Sequence, residues 1–108
     1  MDRLDLSIIN GKKYKVLSGR NLGAEARKFF SLDLLDAQKN TVEFTVPDDV
    51  YSVNSSFFSS LFQKSIKLLG EKEFRERYLF DCDDIIRLNI ENGIMNITKT
   101  LDLLGGQS

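Results

Sequence analysis

Two hydrophobic periods alternate along this chain, and their alternation limits the folds open to it. Thr41 to Val46 puts Val42, Phe44 and Val46 on one side and Thr41, Glu43 and Thr45 on the other. That period of two, in β-rich residues, reads as a central strand. Pro47 ends it, because proline has no N–H to give a sheet. Ser55 to Leu69 then runs at the helical period, with Phe58, Leu61, Phe62, Ser65, Ile66 and Leu69 on one side and Gly70 as the stop.

The same alternation holds on either side. Leu4 to Ile9 reads as a half-buried strand with Leu4, Leu6 and Ile8 inward, Asn10-Gly11 as a hairpin turn, and Tyr14 to Leu17 as the return strand. Leu22 to Gln38 follows as a helix with Asn21 as N-cap and Ser31 as a candidate bend; Ala26, Phe29, Phe30, Leu32 and Leu35 form its stripe. Phe74 to Cys82 sets Phe74, Tyr78 and Phe80 against Arg75 and Arg77 and reads as the next strand. Asp83-Asp84 caps a last helix, striped by Ile86, Ile90, Ile94, Ile97, Leu101 and Leu104, with Gly93 as a candidate kink. The order is β-β-α-β-α-β-α: four strands, three helices and a mostly parallel sheet in an α/β layer fold. The expected domain is single, residues 1–104, with a flexible tail at 105–108.

Composition narrows the chemistry. With 42% hydrophobic residues in 108, a core forms without disulfides or metals. A net charge of −1 favours neither nucleic acid nor an anionic membrane. No apolar run approaches the ~20 residues that span a bilayer, and Met1-Asp2-Arg3 does not begin a signal peptide. The single Cys82 fits a reducing, cytoplasmic setting. The chain has no histidine, which removes Ser-His and Cys-His dyads and imidazole metal ligands. No cofactor, metal or catalytic residue is expected.

Hydroxyls crowd Asn54-Ser55-Ser56-Phe57-Phe58-Ser59-Ser60, where a strand hands over to a helix. Free N–H groups and the positive dipole end favour an anion there. A serine in that place caps the helix, receives a phosphate, or holds the phosphate of another molecule. In open parallel sheets such loops gather at the strands' C-terminal edge, so Gly19-Arg20-Asn21 and Asp81 to Asp84 are expected nearby. Phe57 and Phe58 diverge by ~100° on a helix, which offers Phe57 as an exposed aromatic anchor unless the long loop from Pro47 to Val53 covers it.

Three motifs carry a resemblance. Gly19-Arg20-Asn21-Leu22-Gly23-Ala24-Glu25-Ala26-Arg27 is similar to the Gly-Arg-x-x-Gly/Ser-x-x-Glu-Ala/Gly-Arg helix entry of the bacterial STAS-like domain family. Val42-Glu43-Phe44 is similar to its strand ending in Asp-Phe, and Ser56-Phe57 followed by Leu61-Phe62 to its Ser-Phe-x-x-x-Leu-Phe. The wider STAS group includes anti-anti-sigma factors, whose Asp-Ser-Ser-Gly motif is phosphorylated on its first serine by a histidine-kinase-like ATPase. Asn54-Ser55-Ser56 resembles that motif, although Asn54 replaces the acidic residue and Phe57 the glycine. The resemblance implies a non-catalytic regulatory domain, with Ser55 and then Ser56 as phosphate acceptors. Asn54, Phe57, Ser59, Ser60 and Arg20 would bind a histidine-kinase-like ATPase or a protein it controls. Two other readings stay open: a nucleotide- or phosphate-binding module or enzyme using Arg20, the serines and Asp81 to Asp84, and a self-associating module dimerising through the hairpin or Phe57.

Overall fold

The computed structural model describes residues 2–104; the expected tail at 105–108 lies outside them. β1 (Asp2–Asp5) leads into a hairpin of β2 (Ile8–Ile9) and β3 (Lys12–Lys13). Asp5 Oδ1 accepts hydrogen bonds from the backbone N and the hydroxyl of Ser7, at 2.8 and 2.6 Å, and so bends the chain between β1 and β2. Before the bend Leu4 and Leu6 lie inward as strict alternation implies, and beyond it the inward position passes from Ile8 to Ile9. Leu6 and Ile9 are buried, whereas Ile8 points out. Asn10 (φ 54°) and Gly11 (φ 78°) are the two left-handed residues that the hairpin turn requires. The return strand is Lys12–Lys13 rather than Tyr14 to Leu17. β4 (Val16–Leu17) turns away to another partner.

α1 (Arg20–Phe29) and α2 (Leu32–Ala37) replace the single helix expected over Leu22 to Gln38. Ser31, at φ 55°, breaks it. The N-cap of α1 is Gly19, and Asn21 lies exposed within the first turn. β5 (Val42–Thr45) is the central strand; its buried Val42 and Phe44 face inward as the alternation implied. The loop after Pro47 contains a two-residue strand, β6 (Ser52–Val53), which pairs parallel to β4. α3 (Ser55–Leu69) starts after Asn54 and stops at Gly70, which sits at φ 85°.

The strand expected over Phe74 to Cys82 is α4 (Glu71–Arg77) followed by a short β7 (Tyr78–Asp81). Phe74, Tyr78 and Phe80 fit either period, and charge decides. Glu71 and Glu73 lie at the positive end of α4 and Arg75 and Arg77 at the negative end. They pair at i,i+4 as Glu71–Arg75 (2.9 Å) and Glu73–Arg77 (3.3 Å), contacts a strand cannot make. α5 (Asp84–Leu103) is capped by Asp83, whose carboxylate accepts from Ile86 N at 2.9 Å. It runs unbroken through Gly93. Leu104, placed on its stripe by periodicity, is exposed.

The molecule is an α/β fold with a parallel sheet in the order β1-β5-β7 and helices packed on it. The described residues form seven strands and five helices rather than four and three: two-residue strands carry no readable period, Ser31 divides one expected helix, and α4 stands at the start of an expected strand. α3 lies between α1 and α5, and two glycines allow the approach. A Cβ on Gly23 would stand 2.6 Å from the Phe57 carbonyl oxygen, and one on Gly93 2.6 Å from the Phe58 ring. Below α3, Phe62 packs on Phe74, Phe44 and Phe80 at centroid distances of 5.2, 5.6 and 5.7 Å. A helix covered on two sides buries adjacent residues. Phe57 and Phe58 are therefore both fully buried, and Phe57 is a core residue, not an exposed anchor.

Candidate functional site

The serine cluster sits where β6 enters α3, beside the start of α1. Asn54 N donates to Leu17 O (2.8 Å) as the last link of the β4–β6 pair. The Asn54 side-chain oxygen accepts from Ser56 N (2.9 Å) and from the Ser56 hydroxyl (2.8 Å), which caps α3. Ser56 Oγ in turn accepts from Gly19 N at 3.2 Å. One turn on, Ser60 Oγ donates to Arg20 O at 2.8 Å. Two helix N-termini are thus held flush, and Gly23 supplies the missing bulk between them.

This geometry divides the expected site residues. Asn54 and Ser56 are committed to capping and to joining α1, and Ser60 to the Arg20 carbonyl. Ser55 is exposed, and among the described residues its hydroxyl has no hydrogen-bond partner; Ser59 is half-buried. Phe57 is withdrawn into the core. Arg20 lines a surface groove of ≈ 500 Å³ with Tyr14, Val16, Ser18, Asn21 and Glu25. Asp81, Asp83 and Asp84 are not in the lining of that groove. Among the described residues no three His, Cys, Asp or Glu side chains stand together as metal ligands. A clip fixes the loop that leads to β6: Lys13 Nζ bonds Asp49 at 2.9 Å, and this bond lowers the Asp49 pKa and raises that of Lys13.

A second polar centre lies beneath α1, α2 and α3. Arg27 donates through one nitrogen to Leu61 O and Ser65 Oγ (2.9 Å each). Through the other it reaches Asp33 (2.8 Å) and Asp36 (2.7 Å). Asp36, with 2% of its side chain exposed, also accepts from Ser65 Oγ (2.8 Å) and from the Tyr78 hydroxyl (2.6 Å). Arg77 closes the neighbouring end of α2 by donating to the carbonyls of Leu35, Asp36 and Gln38. Sequence reasoning missed this centre. Its visible signs were Ser65 on an apolar stripe and Arg27 beside the inward Ala26.

Burial, then the hydrogen bond to Asp36 and its charge, push the Tyr78 phenol well above its ordinary value near 10. The folded state therefore holds that proton more tightly than the unfolded chain. The stabilisation is fully present below about pH 10 and declines above it, as the unfolded chain alone becomes tyrosinate. In an alkaline titration followed at 295 nm, the Tyr78 share of the tyrosinate band should appear only together with unfolding. Its appearance while the far-UV spectrum is still native would show the bond to Asp36 to be wrong. Burial likewise raises the Cys82 thiol, which makes it a poor nucleophile.

No helix among the described residues is long and apolar enough to cross a membrane. No family model, curated protein or solved structure matches this chain.

Proposed function

We propose that this chain is a non-catalytic regulatory domain of the STAS-like type, working in the cytoplasm and docking a protein partner through the rim formed by the starts of α1 and α3. The observation that carries this reading is the contrast between Ser55 and its neighbours. Asn54, Ser56 and Ser60 are each held by hydrogen bonds, while Ser55 stands exposed at the first position of a 15-residue helix. A phosphate on Ser55 would meet the positive end of that helix and would add nearly two negative charges to a docking face. Ser56 is the weaker acceptor, because modifying its hydroxyl breaks the bonds to Gly19 and Asn54. The partner that the resemblance supplies is a histidine-kinase-like ATPase or a protein under its control.

The test uses a purified ATPase of that fold from the same organism, with magnesium ATP. Intact-protein mass spectrometry should show the gain of one phosphate, lost in Ser55→Ala and kept in Ser56→Ala. Ser55→Asp should weaken capture of the ATPase at least about tenfold, or ~1.4 kcal/mol. Equal capture by wild type and Ser55→Asp, with no phosphate transferred, would remove the reading.

A further inference from the structure

β4 is paired on one side only. Lys15 O and Leu17 O accept from Tyr51 N (2.7 Å) and Asn54 N (2.8 Å), and the ladder sets Val16 opposite Ser52. Successive residues of a strand turn their N–H and C=O to opposite sides, so those of Val16 point away from β6. The far side of β6 is closed, because Val53 N donates to the Asn89 side chain at 2.8 Å. Along β4 runs the groove of ≈ 500 Å³ instead. Its one wall is the alternate set Tyr14, Val16 and Ser18; its other is the start of α1, with Arg20, Leu22 and Glu25. Val16 is 47% exposed there although it is apolar.

Arg20 is the free cation of this groove. Arg3, Arg27 and Arg75 are each paired with a carboxylate, and Arg77 and Arg87 donate to backbone carbonyls. Arg20 engages only its own carbonyl, with Ser60 at 2.8 Å. Among the described residues its guanidinium has no hydrogen-bond or ion-pair partner, and α1 has no acidic residue in its first turn to supply one. Glu25, further along α1, is already held by the Asn10 side chain at 3.0 Å.

We propose that this groove receives an extended segment of the partner protein, which lies along β4 as an added strand and sets an acidic side chain on Arg20. Only another backbone repeats donors and acceptors at the spacing of a strand. The stretch from Tyr14 to Ser18 is ~13 Å long, room for about four residues of such a segment. A basic segment would bring like charge against an unpaired guanidinium, so charge selects an acidic one. The assignment rests on the reading above for a protein partner at this rim, since Gly19 at the end of the groove also holds Ser56 (3.2 Å). It needs no phosphate on Ser55.

The probes are end-blocked hexapeptides of alternating Thr and Val with one Asp at the first or the last position, and matched peptides with Lys in its place. In amide-resolved NMR of the full chain, titration to about 2 mM of the Asp peptides should shift the Val16 and Ser18 signals saturably. The Lys peptides should bind roughly tenfold more weakly. Methylating alternate backbone nitrogens of the Asp peptides should abolish the shifts, because an added strand needs those donors. Arg20→Glu, at an exposed position, should keep the native circular dichroism spectrum and reverse the preference from Asp to Lys. Ser55→Ala should bind like the wild type. The proposal is overturned by the absence of saturable shifts, by equal binding of the methylated peptides, or by an Asp preference that survives Arg20→Glu. The same shifts produced by inorganic phosphate alone, or by the wild type pairing with itself through this edge, also overturn it. Any of these results alongside phosphorylation of Ser55 and lost capture by Ser55→Asp would remove the groove and leave the serine rim standing.

Discussion

Replacing Asp36 by alanine should cost about 3–5 kcal/mol, the loss expected when one member of a buried ion pair is deleted. The magnitude follows from what the carboxylate holds. It accepts from Arg27, from Ser65 and from the Tyr78 hydroxyl, at 2.6 to 2.8 Å. Without it, a guanidinium only 13% exposed keeps Asp33 as its one anionic partner, and the Tyr78 hydroxyl is left buried without an acceptor. Against a total stability of ~5–15 kcal/mol, this is a large fraction. Urea denaturation should register it as a drop in midpoint of about 2 M, given slopes of ~1–3 kcal/mol/M for small proteins. Arg27→Met should cost a similar amount, by stranding the carboxylate. The double variant Arg27→Met/Asp36→Leu should lose much less than the two single losses combined, because neither charge is then left alone. A single-variant loss under about 1 kcal/mol would mean that the pair is solvated and the centre is not part of the core.

Those residues explain what was and was not legible in the chain. Thr41 to Val46 and Ser55 to Leu69 could be placed from sequence because local chemistry and packing agree there. Pro47 stops the strand, Asn54 caps the helix, and Gly70 ends it. The segment Phe74 to Cys82 failed because aromatic spacing alone fits two periods; the decisive signal was the pairing of Glu71 with Arg75 and Glu73 with Arg77. The partnership of Arg27 with Asp36 depends on how α1 and α2 fold back on α3, which no local pattern encodes. The serine edge was located correctly beside Gly19 and Arg20, yet its most apolar member was misassigned. The rule that adjacent helical residues diverge holds for Phe57 and Phe58, but it implies exposure only when a helix packs on one side. Gly23 and Gly93 were the signs that α3 packs on two.

Gly23→Ala should lower stability by about 2 kcal/mol, even though alanine is the better helix former by ~1 kcal/mol. Gly23 is an ordinary helical residue in α1, so backbone freedom is not its role. Its role is space. An added Cβ would stand 2.6 Å from the Phe57 carbonyl oxygen and 2.6 Å from Ser60 Cβ. The first obstacle is the backbone of α3, and α3 is anchored by fully buried Phe57, Phe58, Leu61 and Phe62. α1 must therefore move outward, which stretches the bonds from Ser60 to the Arg20 carbonyl and from Gly19 to Ser56. Gly93→Ala meets a ring instead of backbone, at 2.6 Å from Phe58 Cδ1, and a ring can yield a little. Phe58 is itself hemmed in by Phe62 at 5.0 Å, so the cost stays positive but smaller. In thermal melts followed by circular dichroism, Gly23→Ala should lower Tm by about 10 °C, at ~4–8 °C per kcal/mol for a domain of this size, and Gly93→Ala by less. A rise in Tm for Gly23→Ala would mean that propensity outweighs the clash. The two helix starts would then stand further apart than a flush docking rim requires.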